Sequence, residues 1–249
     1  VANDPISQFN IKTIFELPKL AGQDISYTNS SLWMTIAAVG VIGFFALTAK
    51  RKQVPGRMQS LGELSYEFIA DMVRSTTGQE AMKFFPFIFT LFFFILFVNV
   101  LGMNPYSFTA TSHLAVTGAL ALFTVGMVLI LGIAKNGLRF FKIFAPSGLP
   151  LVMYPLLVPI EIISFISRPI TLSVRLFANM MAGHVLLKIF ATFIAFLIGS
   201  GGWKIGAAII PILGTVAIVA LEFLVAGLQA FVFAILACVY LNDIYHVDH

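Results

Sequence analysis

Residues 155–197 read PLLVPIEIISFISRPITLSVRLFANMMAGHVLLKIFATFIAFL. As one helix, roughly 43 residues at 1.5 Å each would reach about 64 Å. The hydrocarbon core of a bilayer is only about 30 Å thick. A straight rod of that length must tilt by about 60°, where about 20° is usual; Pro155, Pro159 and Pro169 permit bends. The run after Gly201 and Gly202 poses the same problem and contains Pro211. The expected fold is therefore an all-α integral membrane protein. Its last two helices are long, steeply tilted and folded into a hairpin that presents an extended flank.

Composition agrees with this. The 249 residues are 59% hydrophobic and 10% charged, against about 25% charged in soluble domains, and the mean hydropathy is +0.97. Most of the surface must face lipid. Five regions are long and apolar enough to span: 31–49, 84–104, 114–134, 150–198 and 203–242. The connectors are short, so the chain reads as a single membrane domain, 1–249. Its parts are an outer-side segment 1–30, a first span 31–49, an amphipathic surface helix 58–75, a helical hairpin 84–134 and the long hairpin 150–246. The start, VANDPISQFNIKTIFELPK, lacks signal-peptide features, so targeting is expected from the first span. Cys238, the lone cysteine, sits in an apolar segment and reads as a small buried hydrophobe.

Basic residues set the expected orientation. Lys50, Arg51, Lys52, Arg57, Arg74 and Lys83 precede the second span, and Lys135, Arg139 and Lys142 follow the third. All fall on one side, opposed by Lys12, Lys19 and Lys204, which predicts an outer N-terminus and a cytoplasmic or matrix C-terminus. Between the first two spans, Leu61, Leu64, Phe68 and Met72 recur on one helical side and Glu63, Glu67 and Asp71 on another. Such a helix lies on the membrane surface or packs on a partner, its acidic stripe being either a solvated face or a docking site.

Polar residues inside the long run are not scattered. On a wheel with Arg175 at zero, Glu161, Ser164, Arg168, Thr171 and Asn179 share a sector about 80° wide. His184 falls near 180°, on the other side. In LEFLVAGLQAFVFAILACVYLND (residues 221–243), Glu222, Gln229 and Asp243 recur at multiples of seven and share a face. An intramembrane Arg costs about 2.5–3.5 kcal/mol on insertion scales and cannot shed its proton, whereas Glu, Asp and His titrate. Titratable groups interrupted by one fixed cation point to proton transfer with a barrier. Structural alternatives stand beside this. Arg168 pairs with Glu161 or another neighbour, Lys188 snorkels, and Asn179 and Gln229 join helices by hydrogen bonds.

These residues carry a resemblance. SRPITLSVRLFANMMAGH (167–184), the downstream LEFLVAGLQAFVFAILACVYLND, the N-terminal NDPISQF, FFPFIFTLFFFILFVNVLGMNPY and GLPLVMYPLLVPIEIISFISRPI resemble the subunit a family of the rotary F-type ATP synthases, in its alphaproteobacterial and mitochondrial form. The resemblance covers the whole chain. It implies a stator of the membrane FO sector beside a ring of c subunits, with two offset proton half-channels meeting the ring carboxylates. It further implies that Arg175 is the essential arginine, with Asn179 and Gln229 as polar neighbours and His184 and Glu222 as a titratable pair in the outer half-channel. Glu161, Asp243 and Arg168 become further path positions. Implied partners are the c ring, the peripheral-stalk b subunits, the rest of the complex, membrane lipid and the translocated protons, but no nucleic acid. The implied location is a bacterial inner membrane, or alternatively the mitochondrial one.

No phosphate-binding G-x-x-x-x-G-K-[ST] loop occurs, so nucleotide chemistry is expected in other subunits. No cofactor or metal is expected. A haem subunit needs paired intramembrane histidines, and of His113, His184, His246 and His249 only His184 lies deep in a span. A serine protease fails because Ser173 and His184 are about 16 Å apart along one helix. A stand-alone transporter would show inverted repeats or broken helices in both halves, but the polar residues concentrate in the last two segments.

Overall fold

A computed structural model of the chain describes residues 9–16, 26–49, 55–104, 107–137, 153–202 and 204–245. A short antiparallel ladder, β1 (Thr13–Phe15) with β2 (Tyr27–Thr28), precedes the helices. Then come α1 (Asn29–Thr48), α2 (Arg57–Thr77), α3 (Phe85–Gly102), α4 (Leu114–Asn136), α5 (Tyr154–Gly199), α6 (Lys204–Ala207) and α7 (Ile209–Tyr245). Six residues of 3-10 helix, Gln79–Phe84, lead into α3, and another 3-10 turn, Ala110–Ser112, leads into α4. Five helical stretches among the described residues are long and apolar enough to span a membrane. Of the basic residues in the orientation argument, Lys19, Lys50, Arg51, Lys52, Arg139 and Lys142 lie outside the described residues, as do His246 and His249.

Local chemistry sets the boundaries. Thr28 caps α1 by accepting from the Ser31 N–H at 3.4 Å. Proline opens α3 and α5 in the first turn, where no N–H is needed. Gly78 ends α2 at φ 81°, and Gly201 and Gly202, at φ 66° and 65°, turn the chain out of α5. That left-handed backbone region favours glycine. The fifth apolar run, expected over 203–242, is not one helix: it breaks after α6, and Pro211 then stands inside the first turn of α7.

At 46 residues α5 is about 69 Å long, more than twice the hydrocarbon thickness. It keeps Pro159 and Pro169 inside. Beside Pro169 the hydroxyl of Thr171 donates to the carbonyls of Ser167 and Arg168, both at 2.9 Å.

The core lies where α7 packs along α3 and α5. Ala226, Ala230, Ala234 and Ala237 are fully buried on one face of α7, and small residues let membrane helices approach closely. Ile88, Phe92 and Ile95 of α3 fill the other side, with Leu172, Leu176 and Met180 of α5. Cys238 is buried here as a free thiol, and its carbonyl accepts from the Thr77 hydroxyl at 3.2 Å.

The surface helix differs from expectation at one residue. Leu61, Leu64 and Phe68 stay exposed on α2, but Met72 is buried with Ile69, Ala70 and Val73. The second half of α2 packs on α7, so the apolar stripe divides: its first half faces outward and its last residue joins the core.

Candidate functional site

Burial sorts the polar residues of α5 by side. Leu172, Leu176, Met180 and His184 recur every four residues and face inward, whereas Thr171, Arg175 and Asn179 are exposed. The opposition of Arg175 and His184 is the one the wheel predicts. Among the described residues no hydrogen bond or ion pair joins Arg175 or Asn179 to the rest of the chain.

Two contacts fix how α5 meets α7. Phe165 packs against Tyr240 with ring centroids 5.6 Å apart, and Gly183 lies against the Glu222 side chain. Earlier residues of α5 therefore meet later residues of α7, so the helices run antiparallel. Interpolated between these contacts, Gln229 sits at the level of Arg175. It is buried to 1% exposure behind the helix pair, while Arg175 points out.

On the inner side of that level lies a buried polar group. His184 and Glu222 are 8% and 7% exposed. His184 Nε2 stands 3.0 Å from Thr109 Oγ1, and the edge of Phe9 meets its ring. Neither carboxylate oxygen of Glu222 has a hydrogen-bond partner among the described residues, nor do Gln229 Oε1 and Asn99 Oδ1. Asn99 donates through Nδ2 to the Ala226 carbonyl at 3.4 Å, which places it between Glu222 and Gln229 along α7. Leaving a buried polar group unpaired costs about 1–3 kcal/mol, and such groups ordinarily mark a functional passage or an ordered-water site. Here four such oxygens, on three side chains, lie in one column along α7.

On the other side of the Arg175 level lies a second cluster. Arg168 Nη1 is 4.0 Å from Asp243 Oδ2, and its guanidinium lies 5.5 Å from the centre of the Tyr240 ring. Glu161 is near enough to Asp243 to act on it electrostatically. Among the described residues the ion pair of Arg168 is thus with Asp243, across the hairpin, and not with Glu161 on its own helix.

Arg168 and Arg175 are seven residues apart, about 10 Å along α5, and Arg175 and His184 about 14 Å. The exposed guanidinium therefore stands between two polar clusters that approach from opposite ends of the helix pair. Outside the spans, the imidazole of His113 is held below its ordinary pKa by burial, against the opposing effect of its bond to the Phe9 backbone. Among the described residues no three His, Cys, Asp or Glu side chains gather as a metal site requires.

Asn99, Thr109, Phe9 and Gly183 are additions to the residues named from sequence. Asn99 was legible in principle, a lone amide inside FFPFIFTLFFFILFVNVLG. Thr109 gives no periodic signal, because it lies in an irregular connector.

A family described as ATP synthase A chain matches residues 31–242. The protein of Hyphomonas neptunium described as ATP synthase subunit a is 59% identical over 249 residues, covering 100% of this chain and 98% of that one. That of Nitrobacter hamburgensis is 53% identical over 246 residues, covering 99% of each. That of Agrobacterium fabrum is 53% identical over 251 residues, covering 100% of each.

Proposed function

The chain belongs to the ATP synthase A chain family, subunit a of the membrane sector, and from that premise we propose that it is the stator that carries protons to and from a turning c ring. The observation that carries this reading is the exposed, internally unpaired Arg175 standing between two polar clusters, one buried and one half-exposed. A permanent cation in lipid is costly, so it requires an anion from another chain, and a ring carboxylate is such an anion.

The chemistry then follows. A protonated ring carboxyl crosses lipid at modest cost; a carboxylate does not. Arg175 stabilises the carboxylate as it passes, favouring release of its proton, and its fixed charge repels a proton moving straight between the clusters. Protons therefore travel with the ring. Glu222 and His184, with Asn99 and Gln229 beside them, form the outer half-channel, and Glu161, Arg168 and Asp243 line the other. Each proton crossing 100 mV releases about 2.3 kcal/mol, so several are summed for each ATP made elsewhere in the complex.

The remaining assignments are part of the same proposal. The protein sits in the bacterial inner membrane as one membrane domain, with its N-terminus outside and C-terminus cytoplasmic. It contacts the peripheral-stalk b subunits, and the exposed flank of α5 follows the ring. Cross-linking tests the docking face. In the whole complex, an Asn179→Cys variant forms a disulfide with a cysteine placed beside the ring carboxylate, and His184→Cys does not. Cross-linking from position 184 with none from 179 would reverse the face and defeat the reading.

A further inference from the structure

Thr109 stands where one hydroxyl meets two groups of fixed character. Its Oγ1 lies 3.0 Å from the Gly102 carbonyl and 3.0 Å from His184 Nε2. A carbonyl oxygen only accepts, and a threonine hydroxyl carries a single proton. The hydroxyl therefore donates to Gly102, and toward His184 it presents a lone pair. The ring nitrogen facing it, Nε2, then bears the hydrogen, and the Gly102 backbone is a second partner within reach of the ring. In the neutral ring that leaves Nδ1 bare, and a bare nitrogen is what accepts a proton.

The hydroxyl has little freedom to turn elsewhere. Thr109 is 4% exposed, and its own carbonyl accepts from the Ser112 hydroxyl at 2.6 Å and the Ser112 N–H at 3.1 Å. A methyl group at Gly102 would come within 3.1 Å of the Thr109 methyl, so a bare α-carbon there allows the approach. Glu222 of α7 comes up beside Gly183, the edge of Phe9 covers the ring, and His113 ends the same connector.

We propose that Thr109 is a positioning residue that holds His184 as the Nε2–H tautomer and so makes Nδ1 the nitrogen that exchanges protons. A partner at one ring nitrogen commonly decides the state of the other. The proposal rests on the reading of His184 as a member of the proton path, and the two are tested separately.

The probe is the intact complex with 15N-labelled histidine, its His184 signals assigned by difference from a His184→Gln variant. In the wild type at neutral pH, Nε2 is expected protonated and Nδ1 unprotonated. Thr109→Val keeps the shape but removes the hydroxyl, and should give mixed or reversed tautomers. It should also lower passive proton conductance of FO vesicles severalfold; Thr109→Ser should restore both. A protonated Nδ1 in the wild type, an unchanged tautomer in Thr109→Val, or failure of the serine variant would overturn the proposal. Normal conductance in His184→Gln would instead remove His184 from the path.

Discussion

At Gly183 the lack of a side chain lets the Glu222 carboxylate reach the backbone of α5, where an added methyl would collide with it. Overpacking of this kind costs about 1–3 kcal/mol, and the least costly relief is to swing the flexible Glu222 side chain away from Gly183. Gly183→Ala is expected to cut proton conductance of reconstituted FO several-fold while the complex still assembles. A second change, Glu222→Asp, withdraws the carboxylate by one methylene and should recover part of the loss; an unaffected Gly183→Ala would remove Glu222 from its assigned place. His113 makes a prediction in pH. Burial disfavours its charged form, so the unfolded connector binds a proton more readily than the folded one. Stability of this connector is therefore greatest above the unfolded value of about 6.5 and declines as pH falls below it. Hydrogen exchange corrected for intrinsic rates should show residues 107–113 opening more at pH 5.5 than at pH 7.5, with the difference erased in His113→Gln.

Among the elements, α7 combines a polar column with a face of alanines. Ala230 is fully buried, one position from Gln229. Ala230→Leu must force α3 and α7 apart, and about 1–3 kcal/mol of destabilisation is expected, measured as a lower thermal midpoint of the complex; Ala230→Gly should leave the helices in place. Periodicity made α5 legible. Charge and amide residues at helical spacing placed Arg175 and His184 on opposite sides, and burial agrees for Thr171, Arg175, Asn179 and His184, whereas Arg168, just before Pro169, meets α7 instead. It failed where a helix meets two environments. The stripe Leu61, Leu64, Phe68 and Met72 is continuous in sequence, yet only Met72 is buried, while Phe68 meets Phe231 of α7 from an exposed position. Spacing records which side a residue takes but not where a neighbouring helix ends. The break before α7 and the cross-hairpin pair Arg168–Asp243 were illegible for the same reason, because both depend on how two distant segments align. Thr109 was hidden by an irregular connector, where no period exists to read.

For the molecule as a whole, an exposed cation stands between two polar clusters of the α5–α7 pair. The buried column runs from Glu222 past Asn99 to Gln229 at the Arg175 level, and the half-exposed cluster at Arg168 and Asp243 lies beyond that level. In the proposed function, neither cluster suffices alone, because a proton must leave the chain and ride a neighbour to pass the guanidinium. Removing that charge should therefore separate conduction from rotation without disturbing the fold, since Arg175 makes no internal hydrogen bond or ion pair among the described residues. The decisive measurement is ATP-driven proton pumping, with proton-driven ATP synthesis, in vesicles carrying the assembled complex with Arg175→Ala. Both are expected to vanish, while ATP hydrolysis by the soluble head persists. Pumping at the wild-type proton yield per ATP would contradict the account.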